Sequence, residues 1–341
     1  MGKIKVGILG ATGYTGVELL KHLIFHKDVT VSFAASQSYA GKPFCEVFPE
    51  MKKIYDEPCV STEQALLQTP DCVFSCLPHC ESAKLLKPFI DKGAKVIDLS
   101  ADFRIKNAAD YKQWYDHDHP HPELLAQAVF GLCEHNREQI KNCTILANPG
   151  CYPTSILLPL LPLYKTSAPL IHSIIADSKS SVSGAGRSLK ISSHFVEANE
   201  TFSAYAVGRK HRHIAEIDQE LSAAAHHPVA ITFSPHLLPV NRGILSTIYI
   251  TTSLSADDCA AIAREAYKNE PFVRVRDACD LPNLRDVVHT NFCDIAYCGG
   301  GGNQPVIAVC TIDNLLKGAA GQAIQNFNIM YGFAETESLL P

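Results

Sequence analysis

The chain has 341 residues, 46% of them apolar and 19% charged, with a net charge of −5. That is an ordinary globular balance with material for a core, and the length suggests two domains. No basic block points to nucleic acid or a membrane surface, and no segment has the make-up of a membrane helix or a signal peptide, so a cytoplasmic protein with neither partner is expected.

Residues 3–9, "KIKVGIL", have the composition of a buried strand. "GATGYTG" (10–16) follows, and then a helical pattern with Val17, Leu19, Leu20, Leu23 and Ile24. Residues 29–36, 71–77 and 94–100 are further strands, with a helix near 81–92 between the last two. Strands alternating with helices predict parallel α/β units, here a Rossmann-type doubly wound sheet. Beyond Cys151 the pattern changes. A helix is expected over 154–165, distorted by Pro159 and Pro162. Strand composition recurs at 171–180, 229–235, 244–253, 292–298 and 306–313, with "GGGGN" (299–303) read as the loop joining the last two. These strands lack a helix between each neighbouring pair, which predicts an α+β region with a mostly antiparallel sheet. Helices are expected at 256–270 and 314–330. The chain shows no internal repeat and no low-complexity segment.

Gly10, Gly13 and Gly16 make G-x-x-G-x-x-G on the first strand-to-helix turn. A helix N-terminus offers N–H groups and a partial positive charge, and glycines let a pyrophosphate approach the backbone closely. The spacing departs from G-x-G-x-x-G, so a tight turn without ligand is the competing reading. The loop residues Gly10, Thr12, Gly13, Tyr14, Thr15 and Gly16 are the cofactor candidates. An NAD site wants an acid at the end of the second strand for the ribose 2′-OH. This chain has Ser36, Gln37 and Ser38 there, donors that do not repel a 2′-phosphate. The expected cofactor is NADP(H) rather than NAD.

The thirteen cysteines are read as thiols, not a disulfide framework, and most as core filler, such as Cys72 and Cys310. Cys72, Cys76 and Cys80 recur every four residues, but Pro78 interrupts them and no zinc-type Cys-x-x-Cys pair is present, so no metal is expected. His117, His119 and His121 are read as a solvated loop. Cys151, in "NPGCYPTS" (148–155), is different. It stands between a strand ending "TILAN" and the next helix, where a helix N-terminus favours the thiolate. A nucleophilic cysteine combined with a nicotinamide suggests acyl transfer and hydride transfer through a thioester. Backbone N–H groups near Cys151 would serve as oxyanion donors. "KHRHIAEI" (210–217) offers His211 and His213 for proton chemistry, with a basic helix start as the alternative. "DLSADFR" (98–104) places Arg104 just past a strand, suited to a phosphate or to a surface ion pair.

With "GATGYTGVELL", "DLSADFR", "NPGCYPT", "SSVSGAGR", "KHRHIAEI", "FSPHLLPVNRGIL" and "TIDNLLKGAAGQAIQ" in order from residue 7 to 325, the sequence resembles the N-acetyl-γ-glutamyl-phosphate reductases of arginine biosynthesis, relatives of the aspartate-semialdehyde dehydrogenases. The resemblance implies NADPH-dependent reductive dephosphorylation of N-acetyl-glutamyl 5-phosphate to the 5-semialdehyde. It implies Cys151 as nucleophile and His211, rather than His213, as acid–base. Arg104 would meet the phosphate, Asn148 would bind substrate, and Glu216 would orient the site or bind substrate. Ser183, Gly184 and Gly186 would line the nicotinamide side, and Asn314 would reach the same ring. It further implies an NADP-binding domain of residues 1–150 with 314–341, a catalytic and oligomerisation domain of 151–313, and a homo-oligomer, tetramer or dimer. Two positions depart from the pattern: Ser155 replaces a usual Ala or Gly, and Cys133 a usual Pro. The rival readings are an aspartyl-phosphate reductase and a non-catalytic NADP-binding redox sensor switched at Cys151.

Overall fold

The computed structural model describes residues 2–301 and 304–340. The chain divides into two units, residues 1–149 with 319–341, and residues 150–318.

Among the described residues, the first unit holds a six-stranded, all-parallel sheet. Its strands are β1 (Ile4–Leu9), β2 (Val29–Ala35), β3 (Cys72–Ser75), β4 (Lys95–Asp98), β5 (Val129–Phe130) and β6 (Ile145–Ala147), in the order β2-β1-β3-β4-β6-β5. All four residues of β3 are buried, as expected for a parallel strand with both faces covered. The order reverses between β1 and β3, and in open α/β sheets such a switch point is where ligands bind. The glycine loop lies there: a β-carbon on Gly10 would fall 2.8 Å from the Cys76 carbonyl that follows β3. The closing helix begins at Gly321 and runs to Tyr331, not from 314 as its composition suggests. Residues Leu316–Ala320 form a π-helical turn instead. The helix buries Gln322, Gln325, Asn326 and Asn328 along with its apolar residues. Asn326 Nδ2 donates to Gly131 O (2.7 Å) and Asn148 Oδ1 (3.1 Å), so these amides are interior fastenings of the unit. Cys133 is buried in the same cluster, its thiol donating to Asn326 Oδ1 at 3.1 Å.

The second unit, among the described residues, holds a seven-stranded sheet in the order β11-β12-β13-β10-β7-β9-β8. The strands are β7 (Ile171–Ser181), β8 (Ser203–Ala204), β9 (Thr232–Leu238), β10 (Ile244–Thr252), β11 (Val273–Val275), β12 (Cys293–Gly301) and β13 (Gln304–Ile312). The sheet is mixed. β7 and β9 pair in parallel because the helix His213–Ala225 lies in the connection between them, and β11 pairs in parallel with β12. The other pairings are antiparallel. β9 starts at 232 rather than 229 because side chains of the preceding helix take the earlier N–H groups: Val229 N donates to Ser222 Oγ (2.8 Å) and Ile231 N to Asp218 Oδ1 (3.1 Å). The glycines expected as a loop continue β12 through Gly301, paired with Gln304; the rest of that stretch, 302–303, lies outside the described residues.

The hub of this unit is the helix Cys151–Ser167, which buries every residue from Tyr152 to Tyr164. It starts at Cys151, three residues before the expected bound. Pro153 lies in its first turn, where no N–H has an intrahelical partner, so proline costs nothing there. Pro162 leaves the Leu158 carbonyl without its helical donor, and Tyr267 Oη donates to that oxygen at 2.6 Å. Tyr297 Oη donates to Pro159 O at 2.6 Å. Tyr267 thus supplies the donor that Pro162 removes, and Tyr297 adds a second tie to the helix backbone.

Candidate active site

Cys151 is the first residue of the 17-residue hub helix. Gly150 before it is extended (φ −68°, ψ 156°) and offers no capping side chain, and the first helical turn carries no acid. The helix end therefore presents its amides and partial positive charge at the cysteine, the setting that stabilises a thiolate. Cys151 is half-buried, whereas Cys72, Cys259 and Cys310 are fully buried. Burial pushes the Cys72 and Cys310 thiols up, and the Cys259 thiol up to about 11.

The helix His213–Ala225 brings Glu216 to the same place from its first turn. Glu216 is fully buried, and its Oε2 accepts the Gly150 N–H at 3.1 Å. The carboxylate thereby fixes the peptide immediately ahead of Cys151. Its other oxygen is 4.0 Å from His213 Nε2. His211 packs against the His213 ring (4.8 Å between centroids) and edge-on to Tyr152, Tyr205 and Phe233 at 5.4–5.6 Å. Burial, then the neighbouring His213, push the His211 imidazole down to about 3, against a smaller opposing effect of Glu216. His211 Nδ1 accepts the His213 N–H at 3.2 Å. The neutral ring therefore carries its proton on Nε2 and presents an N–H donor.

Sequence reasoning missed the aromatic wall. Tyr205 Oη donates to Tyr152 Oη (3.2 Å), which donates to His236 O (3.0 Å). Burial raises the Tyr205 phenol to about 12; the hydrogen bond with Tyr152 opposes that shift, and the Cys151 charge adds a smaller upward push. Tyr152 was legible as the neighbour of Cys151; Tyr205 carries no motif of its own.

The remaining candidates of the second unit cluster around Asn314. Asn314 is buried; its Oδ1 accepts from Gly243 N (2.7 Å) and Ser181 Oγ (3.0 Å), and its Nδ2 donates to Ser183 Oγ (2.9 Å). It thus braces the turn that carries Ser183, Gly184 and Gly186; the two glycines are exposed and Gly186 has φ +80°.

In the first unit, the glycine loop suits a dinucleotide phosphate. Gly10 has φ +72°, and a β-carbon on Gly16 would fall 2.5 Å from Gly10 O, so loop and helix are in close contact. Gly13 caps the helix Tyr14–Leu23 with no side chain, and no acid occupies its first turn. Tyr14 is exposed and Thr15 half-buried. Thr12 Oγ1 and Ser36 Oγ share a hydrogen bond of 2.7 Å, tying the loop to the end of β2, while Gln37 and Ser38 are exposed.

"DLSADFR" builds a framework. Asp98 accepts from Ser82 Oγ (2.5 Å) and Ser100 Oγ (2.7 Å), and burial, then the Asp102 charge, push it up to about 6. Asp102 accepts from Cys80 N (2.7 Å), Ala83 N (2.9 Å) and Tyr111 Oη (2.8 Å). Arg104 is no surface cation. It is buried, with Nε donating to Asn148 O (2.7 Å) and Nη2 to Leu99 O (2.6 Å). Asn148 is also buried, its amide bonded to Ala319 O and to Asn326, each at 3.1 Å. The histidine loop corrects a further expectation: His119 is buried against Phe103 and Tyr111. Among the described residues, no group of His, Cys, Asp and Glu is arranged to hold a metal ion.

Two family models match, "Semialdehyde dehydrogenase, NAD binding domain" over residues 5–143 and "Semialdehyde dehydrogenase, dimerisation domain" over 151–314. The N-acetyl-gamma-glutamyl-phosphate reductases of Geobacter metallireducens and Desulfotalea psychrophila are 47% and 48% identical to the chain over 339 residues, 98% of each chain. The chain belongs to the N-acetyl-gamma-glutamyl-phosphate reductase family. The same-named protein of Pelotomaculum thermopropionicum is 46% identical over 98% of this chain and 97% of its own. Among solved structures, aspartate semialdehyde dehydrogenase II of Vibrio cholerae and the Candida albicans aspartate semialdehyde dehydrogenase with NADP superpose with TM-scores of 0.73 and 0.72, covering 97% of this chain and 99% of theirs. Their identities of 18% and 17% are evidence of shared fold. Membership in the reductase family makes the chain a nicotinamide-dependent oxidoreductase with a Rossmann-type domain. No helix among the described residues is long and apolar enough to cross a membrane.

Proposed function

We propose that the protein reduces N-acetyl-glutamyl 5-phosphate to N-acetyl-glutamate 5-semialdehyde, with Cys151 as nucleophile and NADPH as reductant, in arginine biosynthesis in the cytoplasm. The observation that carries the assignment of the nucleophile is the buried Glu216 carboxylate, which holds the Gly150 N–H beside a half-buried thiol at a helix start. The Cys151 thiolate attacks the acyl carbon; the carbon–sulfur bond forms, the carbon–oxygen bond to phosphate breaks, and inorganic phosphate leaves. Arg104 serves the phosphate from a locked position, since two carbonyls hold its guanidinium and no rotamer freedom remains to be lost. The bound dinucleotide supplies a hydride to the resulting thioester. His211 Nε2–H and the helix amides steady the oxyanion that develops on that carbon, and its collapse frees the aldehyde and returns the thiolate. A neutral imidazole is a donor here rather than a ready proton source.

NADPH over NADH rests on Ser36, Gln37 and Ser38, where an NAD site has an acid. Ser36→Asp will weaken NADPH binding tenfold or more and leave NADH binding within threefold, measured by fluorescence titration; equal effects on both would remove Ser36 from cofactor selection.

A homo-oligomer is supported by Leu189, Ile191, Phe195 and Val196, each at least 76% exposed in one short segment, more apolar surface than a monomer ordinarily leaves bare. Sedimentation equilibrium at micromolar concentration will give a dimer or tetramer; a monomer overturns this.

The reaction itself is tested in reverse, by NADP reduction with N-acetyl-glutamate semialdehyde. Turnover will require inorganic phosphate. Turnover only with the aspartyl substrate, or binding without any turnover, would favour the aspartyl-phosphate reductase or the redox sensor respectively.

A further inference from the structure

Gly318 stands directly against the nucleophile. A β-carbon built on it falls 2.8 Å from the Cys151 Cβ and 3.3 Å from the Cys151 Cα, closer than carbon atoms approach without displacement. Gly318 lies within the π-helical turn Leu316–Ala320, and its N–H donates to Asp313 O at 2.9 Å, the five-residue bond that makes the turn. Such turns are rare and are frequent at functional sites. A regular α-helical turn would carry different residues past Cys151, so the wide turn determines that a glycine faces it.

Asp313 holds the turn in this form. Its carboxylate is fully buried and accepts from Leu315 N (2.8 Å), Leu316 N (3.1 Å), His289 N (2.7 Å) and Arg242 Nε (2.9 Å). Arg242 is the countercharge, its side chain 10% exposed. A buried carboxylate with this many donors has one low-energy placement, and the turn it caps has one as well. We propose that Asp313, paired with Arg242, is a positioning residue for Cys151, acting through the π-helical turn and the bare face of Gly318. The proposal rests on Cys151 being the nucleophile.

The test is a double-mutant cycle on the full-length protein with Gly318→Ala, Asp313→Asn and the pair, read by kcat, KM and the rate of Cys151 alkylation by iodoacetamide as a function of pH, with peptide mapping to locate the adduct. Gly318→Ala will lower kcat 100-fold or more with KM changed less than threefold, and will shift the pH midpoint of Cys151 alkylation. Asp313→Asn will lower kcat more than tenfold, and the pair will be no worse than the more damaging single change. The proposal is overturned if Gly318→Ala leaves kcat and alkylation within threefold of the parent, or if the two losses multiply. Should Asp313→Asn not fold, as judged by circular dichroism, Gly318→Ala decides by the same thresholds. Cys151→Ala separates the premises: if it still turns over, the assignment of the nucleophile fails, while the alkylation rates of the other variants continue to test the positioning.

Discussion

Replacing Cys151 with alanine will lower kcat by about 10⁵-fold or more while leaving NADPH affinity unchanged within twofold. Removing a covalent nucleophile from a hydrolase costs a loss of about this order, and nothing nearby can take its place. The helix end is aimed at residue 151, and the Glu216 bond to Gly150 N fixes the peptide just ahead of it. Cys133 also starts a helix, but it is fully buried with its thiol donating to Asn326 Oδ1; burial holds Cys143 and Cys259 up to about 11, so little thiolate exists there at neutral pH. Cys151→Ser will be nearly as inactive, because an alcohol stays protonated where a thiol does not. Residual turnover above about a hundredth of the parent in either variant, after adventitious wild-type enzyme is ruled out by mass spectrometry, would refute the thioester route. The glycine loop proposed for the cofactor is built by glycine geometry and the Thr12–Ser36 hydrogen bond, which the substitution does not touch.

Much of this was legible in the sequence, for identifiable reasons. β3 announces itself because a parallel strand buried on both faces is a continuous apolar run, and β1 carries the same signal over its buried half. Cys151 and the glycine loop are legible because each sits at a strand-to-helix junction, a place a short motif can mark. What stayed hidden depends on tertiary partners. The hub helix looks broken by prolines until Tyr267 is brought from far along the chain to the Leu158 carbonyl that Pro162 leaves without a donor. Arg104 reads as a free cation because nothing local shows that Leu99 O and Asn148 O will enclose it. The closing helix buries amides that composition assigns to a surface. The π-helical turn has no periodic signature, since one extra residue in a turn is invisible to a pattern of spacing. β5, with two residues, is too short to carry an alternation at all.

His211→Ala will lower kcat by about 10²–10³-fold, the cost of losing one oxyanion donor, and His211→Gln will recover at least tenfold of that loss. The expectation follows from the state of the ring. Burial first, and His213 second, depress its titration to about 3, so at pH 5–8 it is neutral in the parent. With Nδ1 accepting the His213 N–H, the Nε2–H is the group left to face a reacting oxygen. Glutamine places an N–H donor near the same point but cannot titrate. The parent kcat/KM should therefore show no limb near pH 6.5 that vanishes in His211→Gln. A limb there, together with a glutamine variant as inactive as alanine, would make the ring an acid–base group instead of a fixed donor. The same depression has a signature in folding. The unfolded chain binds a proton at this histidine near pH 6.5 and the folded protein only near 3, so its unfolded state holds more protons between those values. Stability from this site is complete above about pH 6.5 and declines as the pH falls toward 3. Denaturant melts across that range should give a shallower decline for His211→Gln than for the parent; parallel curves would mean that the ring titrates in the folded protein as it does in the unfolded chain, and the donor assignment would lose its basis.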